Sequence, residues 1–216
     1  HVIIEYIISD FSLKNVQHKN DVFQDIILKD EPNFIIKNHP KLPHINRSFI
    51  VPDRSSSIEI SVIRLDEEIY ENINVIPSKG NPKRNRNIDT IPLLKGDIYN
   101  ENNFFPGNLY ETYDPYILRD FRAQVVQVNP FQYNPVTKIL KVYTNVRLKI
   151  SFTGNNKINE LNNSRNSNII VKDYFNIYSN RFLNFNTYQS RYNPISEVGE
   201  MLIICYDSFC NEMAPF

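Results

Sequence analysis

Residues 140–152 alternate between two kinds of side chain, and this pattern constrains the fold more than any other in the sequence. The even positions carry Leu140, Val142, Thr144, Val146, Leu148, Ile150 and Phe152. The odd positions carry Lys141, Tyr143, Asn145, Arg147, Lys149 and Ser151. Because successive side chains of a strand point to opposite faces, a period of two predicts one long antiparallel strand with a buried face and a wet face. We expect the even-numbered side chains to be buried.

A second alternating segment, residues 121–128, precedes this strand. Phe121, Ala123 and Val125 alternate there with polar neighbours, and a turn rich in Pro and Asn follows. Two alternating segments joined by such a turn are typical of a hairpin. We therefore predict that residues 121–128 pair with residues 140–152 at the centre of an antiparallel β-sandwich.

The remaining patterns extend this all-β prediction and add one helix. Further strands are predicted at residues 1–8, 22–28, 58–63 and 69–76, with a solvated turn at Asp66, Glu67 and Glu68. Residues 154–168 are rich in Asn, Lys and Ser and predict a solvated linker. In residues 170–185 the period changes to three and four, which predicts a helix with one aromatic face. That face comprises Val171, Phe175, Tyr178, Phe182 and Phe185.

Composition excludes several classes of function. The chain carries 24 basic and 24 acidic residues, so its zero net charge predicts neither nucleic-acid binding nor attraction to anionic membranes. No apolar run approaches the ~20 residues that cross a bilayer, so we predict no membrane span. Two cysteines are too few for a disulfide framework.

The end of the sequence indicates a second domain. Residues 201–205 form a short apolar run between Gly199 and Asp207, which predicts a strand buried on both faces of a parallel sheet. The preceding strands are predicted to be antiparallel, so we expect this sheet to continue beyond Phe216. We divide the chain into residues 1–191, a β-sandwich with its linker and helix at residues 154–191, and residues 192–216, the start of an α/β domain.

Residues 77–92 predict a long exposed basic loop. The segment is too polar to be buried and too rich in Pro, Gly and Asn to form a helix. Loops of this length within a compact domain are usually functional or disordered. From the residues alone, its basic cluster Lys83, Arg84 and Arg86 is typical of a solvated loop tip.

The sequence lacks a Cys and His pair that could act as the catalytic dyad of a cysteine peptidase. A cysteine peptidase needs a thiolate and a histidine that accepts its proton. All four histidines precede residue 45, Cys205 lies within the apolar run, and Cys210 has no histidine nearby. His39 and His44 have no suitable neighbours to complete a metal site. We therefore predict no catalytic residue, no metal site and no cofactor in this chain.

Several short motifs occur in an order that resembles the gingipain-type cysteine peptidases, family C25. The resemblance covers nearly the whole chain. It ends at the junction of prodomain and catalytic domain, where Arg-Tyr-x-Pro precedes an Ile-rich strand. This sequence has Arg122-Ala123 where the family often has Arg-Gly, and Asn38-His39 where a Gly is common. The motifs are residues 39–43, 49–52, 104–107, 119–123, 129–135 and 191–205.

The resemblance implies a prodomain that keeps a peptidase latent and assists its folding. The partner would be the peptidase's own catalytic domain, a caspase-like α/β domain whose catalytic His and Cys lie downstream of this sequence. Lys83, Arg84 and Arg86 would belong to an inhibitory loop across the active-site cleft. Cleavage would fall between Arg191 and Tyr192. The parent would be a secreted or cell-surface enzyme that leaves through the periplasm of a Bacteroidetes-like bacterium.

Two other interpretations remain open from the sequence. The chain could be a non-enzymatic β-sandwich module for adhesion or carbohydrate binding, which a concave face rich in Tyr and Phe would favour. It could also belong to a sortase-like relative within the same peptidase superfamily, acting in secretion. The downstream sequence would discriminate among the three, because a His-Gly step and a later Cys at the end of a strand would support the peptidase.

Overall fold

The computed structural model describes residues 1–162, 169–189 and 193–195. The strands are β1 (Val2–Ile7), β2 (Phe11–His18), β3 (Asp21–Leu28), β4 (Ile45–Ile50), β5 (Glu59–Tyr70), β6 (Tyr110–Thr112), β7 (Tyr116–Leu118), β8 (Phe121–Val128), β9 (Phe131–Asn134), β10 (Ile139–Ser151), β11 (Ile169–Val171) and β12 (Asn193–Ile195). The α-helices are α1 (Lys172–Arg181) and the single turn α2 (Asn186–Gln189).

The first sheet is built around β10. Strand β5 pairs antiparallel with one side of β10 along almost its whole length. On the other side, β1 and β9 lie end to end, because β1 pairs with residues 145–150 and β9 with residues 139–142. The long alternating segment of the sequence is therefore the central strand of this sheet.

The second sheet is built around β8 in the same way. Strand β4 pairs antiparallel with residues 123–128 on one side of β8. On the other side, β6 pairs with residues 126–128 and β7 with residues 121–123. Each sheet thus has four strands, and in each the pairings converge on one long central strand.

The hydrophobic core lies between the two sheets. From the first sheet it takes the even-numbered side chains of β10, and from the second it takes Val126, Val128 and Phe49. The predicted buried face is confirmed at Leu140, Val142, Val146, Leu148 and Ile150, which are 0% exposed. Thr144 and Phe152 are partly buried. The mostly antiparallel β-sandwich predicted from the sequence is confirmed.

Helix α1 forms a third layer on the outer face of the second sheet. Tyr178, Phe182 and Phe185 pack there against Phe121 and Ala123 in a separate buried cluster. Phe175 is partly buried against the same cluster. The aromatic face predicted for residues 170–185 is thus used in packing, although the helix ends at Arg181 and Phe182 already pairs with Ser48 beside β4.

The predicted hairpin between residues 121–128 and 140–152 is wrong. Strands β8 and β10 lie in different sheets and face each other across the core. The short strand β9, which follows Pro130 directly, takes the place beside β10 that was predicted for β8. Alternation could not identify this, because it predicts which face of a strand is buried and not which strand lies beside it. In the structure, seven of the eight side chains of β8 are buried, including its polar ones.

The predicted turn at Asp66, Glu67 and Glu68 is also wrong. These residues lie within β5, which runs without interruption over 12 residues. An edge strand that is mostly exposed tolerates carboxylates on both faces, so their presence does not end the strand. The strand predicted at residues 201–205 and the domain boundary at residues 191–192 lie outside the described residues.

Candidate functional site

Backbone hydrogen bonds hold the first residues of the predicted basic loop against residues 38–39. Ser78 donates its backbone N–H to the carbonyl of His39 at 2.8 Å, and Asn38 donates its N–H to the carbonyl of Ser78 at 2.9 Å. Gly80 follows with φ of 77°, a left-handed conformation that favours glycine. A Cβ at this position would lie 3.0 Å from the Cβ of Lys37. Glycine is therefore the residue that fits best where the loop leaves the sandwich.

Hydrogen bonds within the loop join its first and last residues. The Nζ of Lys79 donates to the carbonyl of Ile88 at 2.9 Å, which joins the outgoing and returning limbs. Asn87 caps a short 3₁₀ turn at Ile88–Thr90 by accepting the N–H of Asp89 at 2.9 Å. These bonds connect the two limbs of the loop and cap the turn on its returning limb.

The three predicted candidates Lys83, Arg84 and Arg86 lie together at the exposed tip of this loop. Arg86 donates its backbone N–H to the carbonyl of Lys83 at 3.0 Å and so closes a tight turn. Within the described part of the chain, none of the three side chains forms an ion pair. The tip of the loop therefore exposes three positive charges to solvent.

A groove of about 550 Å³ separates the loop from the body of the domain. Lys37 and Ile35 line one side, and Lys79, Lys83 and Arg86 line the other. Because this space stays open, the tip is not packed against the sandwich.

The segment that leads toward Arg191 is anchored by polar contacts as well as by aromatic packing. The hydroxyl of Tyr178 donates to the carboxylate of Asp120 at 2.6 Å, and burial together with this bond raises the pKa of the phenol. Asn184 is buried and makes two bonds to Ile50, accepting its N–H at 2.8 Å and donating to its carbonyl at 2.8 Å. Leu183 donates its N–H to the carbonyl of Ser48 at 3.0 Å. Residues 183–184 therefore cover the open edge of β4.

The predicted cleavage residues Arg191 and Tyr192 lie outside the described residues, as do Cys205 and Cys210. The chain is described again at β12, which pairs in parallel with β11. Residues 193–195 therefore lie in a two-stranded sheet that is separate from the two sheets of the sandwich.

His39 and His44, the two histidines considered as metal ligands, contact an aromatic ring and a backbone carbonyl. His44 is buried against the ring of Phe34, with ring centroids 4.6 Å apart, and burial lowers the pKa of its imidazole. The Nδ1 of His39 lies 3.1 Å from the carbonyl of Lys37. Within residues 1–162, 169–189 and 193–195, no three His, Cys, Asp or Glu side chains converge on a metal position. In the same ranges no helix is long and apolar enough to cross a membrane.

Sequence reasoning missed two buried polar residues that shape this region, Arg122 and Asn184. Arg122 is 0% exposed, and its guanidinium donates to main-chain carbonyls at 2.7 to 3.2 Å. The acceptors are Pro52, Ser56, Asn156, Ile158 and Asn159. Both residues bind the main chain of distant segments, and no local pattern in the sequence signals such contacts.

Comparison with known proteins identifies relatives of the whole chain. A family model described as Propeptide_C25 matches residues 1–192. Gingipain R2 of Porphyromonas gingivalis is 32% identical over 216 residues, which are 99% of this chain and 28% of that protein. Gingipain R1 of the same organism is also 32% identical, and the match covers 21% of its length. The chain therefore spans about a quarter of these relatives.

Two solved structures share the fold. The first, described as a complex of Porphyromonas gingivalis RgpB pro- and mature domains, gives a TM-score of 0.76 at 31% identity. That match covers 86% of this chain and 91% of the other. The second concerns the zymogenic latency of gingipain K from the same organism, with a TM-score of 0.61 at 19% identity, covering 70% and 86% of the two chains.

Proposed function

Because the chain belongs to the C25 propeptide family, we propose that it is the prodomain of a gingipain-like cysteine endopeptidase, which it keeps latent and helps to fold until cleavage. The family match over residues 1–192 is the observation that carries this proposal. The partner is the catalytic domain of the same precursor, bound within one chain and again after cleavage. The parent enzyme is secreted or exposed on the cell surface.

Latency predicts that the separate prodomain inhibits the mature enzyme. Residues 1–191 added to the mature catalytic domain should abolish peptidase activity at a one-to-one ratio, measured by titration with a peptide substrate. The same titration with a Val146→Asp prodomain is the control, since a charge on the buried face of β10 should prevent folding. Full activity at a large excess of folded prodomain would refute the proposed function.

The loop formed by residues 79–89 is the proposed inhibitory element. The hydrogen bonds that join Lys79 to Ile88 and cap the turn at Asn87 support this role. A loop that is held in one conformation loses less conformational entropy when it binds. Its tip supports the role because Lys83, Arg84 and Arg86 are exposed. Arg84 and Arg86 are favoured over Lys83 as the inserted residue, since the planar guanidinium can bind a carboxylate through two hydrogen bonds.

Cleavage between Arg191 and Tyr192 is the proposed activating step. The family match ends at residue 192, which supports a boundary at this position. The residues before the bond are rich in Asn, Ser and Gln, so they are poorly suited to burial and accessible to a protease. Pro194 favours an extended conformation of the residue before it, as a protease substrate requires.

N-terminal sequencing of the mature enzyme tests this bond. The mature chain should begin at Tyr192, and a precursor with Arg191→Ala should accumulate uncut. An Arg181→Ala precursor is the matched control and should mature normally, because Arg181 ends helix α1. Normal maturation of the Arg191→Ala precursor would show that this bond is not the required cut.

A further inference from the structure

Strands β11 and β12 join the two sides of the proposed cleavage bond. Their parallel register places Ile169 opposite Asn193, Ile170 opposite Pro194 and Val171 opposite Ile195. The Arg191–Tyr192 bond directly precedes β12 in the sequence. After cleavage, β12 would therefore belong to the catalytic chain and β11 to the prodomain.

The pairing rules of parallel strands identify the atoms that hold this ladder. Pro194 has no N–H to donate, so the bridge at this position must be made by its partner Ile170. The N–H of Ile170 then donates to the carbonyl of Asn193, and the carbonyl of Ile170 accepts the N–H of Ile195. The N–H of Ile169 points away from β12, because alternate residues of a parallel strand face opposite sides.

Strand β11 is fixed to the prodomain by the segment that follows it. Helix α1 begins at the next residue, Lys172, and its Tyr178 is bonded to Asp120 of the sandwich. Beyond the helix, Asn184 makes its two bonds to Ile50. Cutting the chain at residue 191 leaves all of these contacts in place.

We propose that β11 is a docking edge for the N-terminal segment of the catalytic chain, and that residues 193–195 stay paired with it after cleavage. This inference rests on the proposed cut at Arg191–Tyr192. An extended segment that adds to a strand edge gains main-chain hydrogen bonds whatever its side chains are. Cleavage and release are then separate steps, and the ladder slows the second one.

Hydrogen exchange in the intact 216-residue chain tests the ladder before any cleavage. The Ile195 amide should exchange at least about tenfold more slowly than in an unpaired peptide, as expected for a hydrogen-bonded amide that must open to exchange. Ile170→Pro removes the N–H that donates to the carbonyl of Asn193, while the carbonyl that accepts the Ile195 N–H remains. With one of its two central bonds lost, the ladder should open more readily, and the Ile195 amide should exchange faster than in the unaltered chain. Ile169→Pro places the same residue where the N–H faces away, and should preserve the protection of the Ile195 amide.

Free exchange of Ile195 in the unaltered chain overturns the proposal, and so does equal protection in the two proline variants. The measurement needs no processing, so it is independent of whether Arg191–Tyr192 is the bond that is cut. In the cleaved precursor, Ile170→Pro should speed dissociation of the prodomain by roughly tenfold relative to Ile169→Pro, since the loss involves one or two main-chain hydrogen bonds. Equal dissociation rates would show that the ladder has no part in retention.

Discussion

At the scale of single residues, Arg122 is a charged side chain buried in the domain and bound only through main-chain carbonyls in the hydrogen bonds described above. Its side chain is fully buried and binds carbonyls from two separate segments, residues 52–56 and residues 156–159. Burial lowers the pKa of its guanidinium, while the carboxylates of Glu160 and Asp53 oppose that shift. The residue thus fixes the segment after β10 against the end of the sandwich.

Replacing Arg122 by Met should destabilise the domain by at least about 3 kcal/mol, because several buried carbonyls lose their donor and each costs about 1–3 kcal/mol. Urea denaturation followed by circular dichroism measures the change. Arg147→Met is the matched control, since Arg147 lies exposed on β10, and it should change stability by less than about 0.5 kcal/mol. Equal effects of the two substitutions would contradict the structural role of Arg122.

The sequence indicated the exposed cations of the loop but not these buried polar groups. Lys83, Arg84 and Arg86 were predictable because a run of basic and helix-breaking residues favours an exposed loop. Arg122 and Asn184 were not, since their partners are main-chain atoms that the fold brings near. Arg122 donates to carbonyls 34 to 70 positions away, and Asn184 binds a residue 134 positions away.

At the scale of elements, β10 and β8 show where periodicity succeeds and where it fails. The alternation of β10 predicts its buried face correctly because one face is wet. Strand β8 has the sandwich core on one side and α1 on the other, with buried Arg122, Gln124 and Gln127 among its apolar residues. Its pairing partner could not be predicted from the sequence, because the pattern contains no information about neighbours in the sheet.

The buried face of β10 gives a test at this scale. Val146→Asp should destabilise the sandwich by about 3–5 kcal/mol, because it places an unpaired charge in the core. Lys149→Asp lies on the opposite, exposed face of the same strand and should have a much smaller effect. Thermal unfolding of both variants decides the matter, and an unchanged melting temperature for Val146→Asp would show that the face assignment is wrong.

At the scale of the whole molecule, the prodomain presents two surfaces with different proposed tasks. The loop formed by residues 79–89 exposes Lys83, Arg84 and Arg86, which we propose enter the catalytic cleft. Strands β11 and β12, which precede and follow the proposed processing bond in the sequence, pair in parallel. The two proposals predict that inhibition and retention can be impaired separately, the first by changes in the loop and the second by changes in β11.

The most direct test of the central claim is the inhibition constant of loop variants against the mature catalytic domain. Arg84→Ala, Arg86→Ala and the double variant are compared with Lys157→Ala, which removes a cation from a segment remote in sequence from the loop. If one loop arginine pairs with a buried carboxylate, its loss costs about 2–5 kcal/mol and weakens inhibition by tens- to thousands-fold. We predict such a loss for one of the two single variants and for the double variant, with Lys157→Ala unchanged. Equal inhibition by all of the variants and the unaltered prodomain would contradict the account.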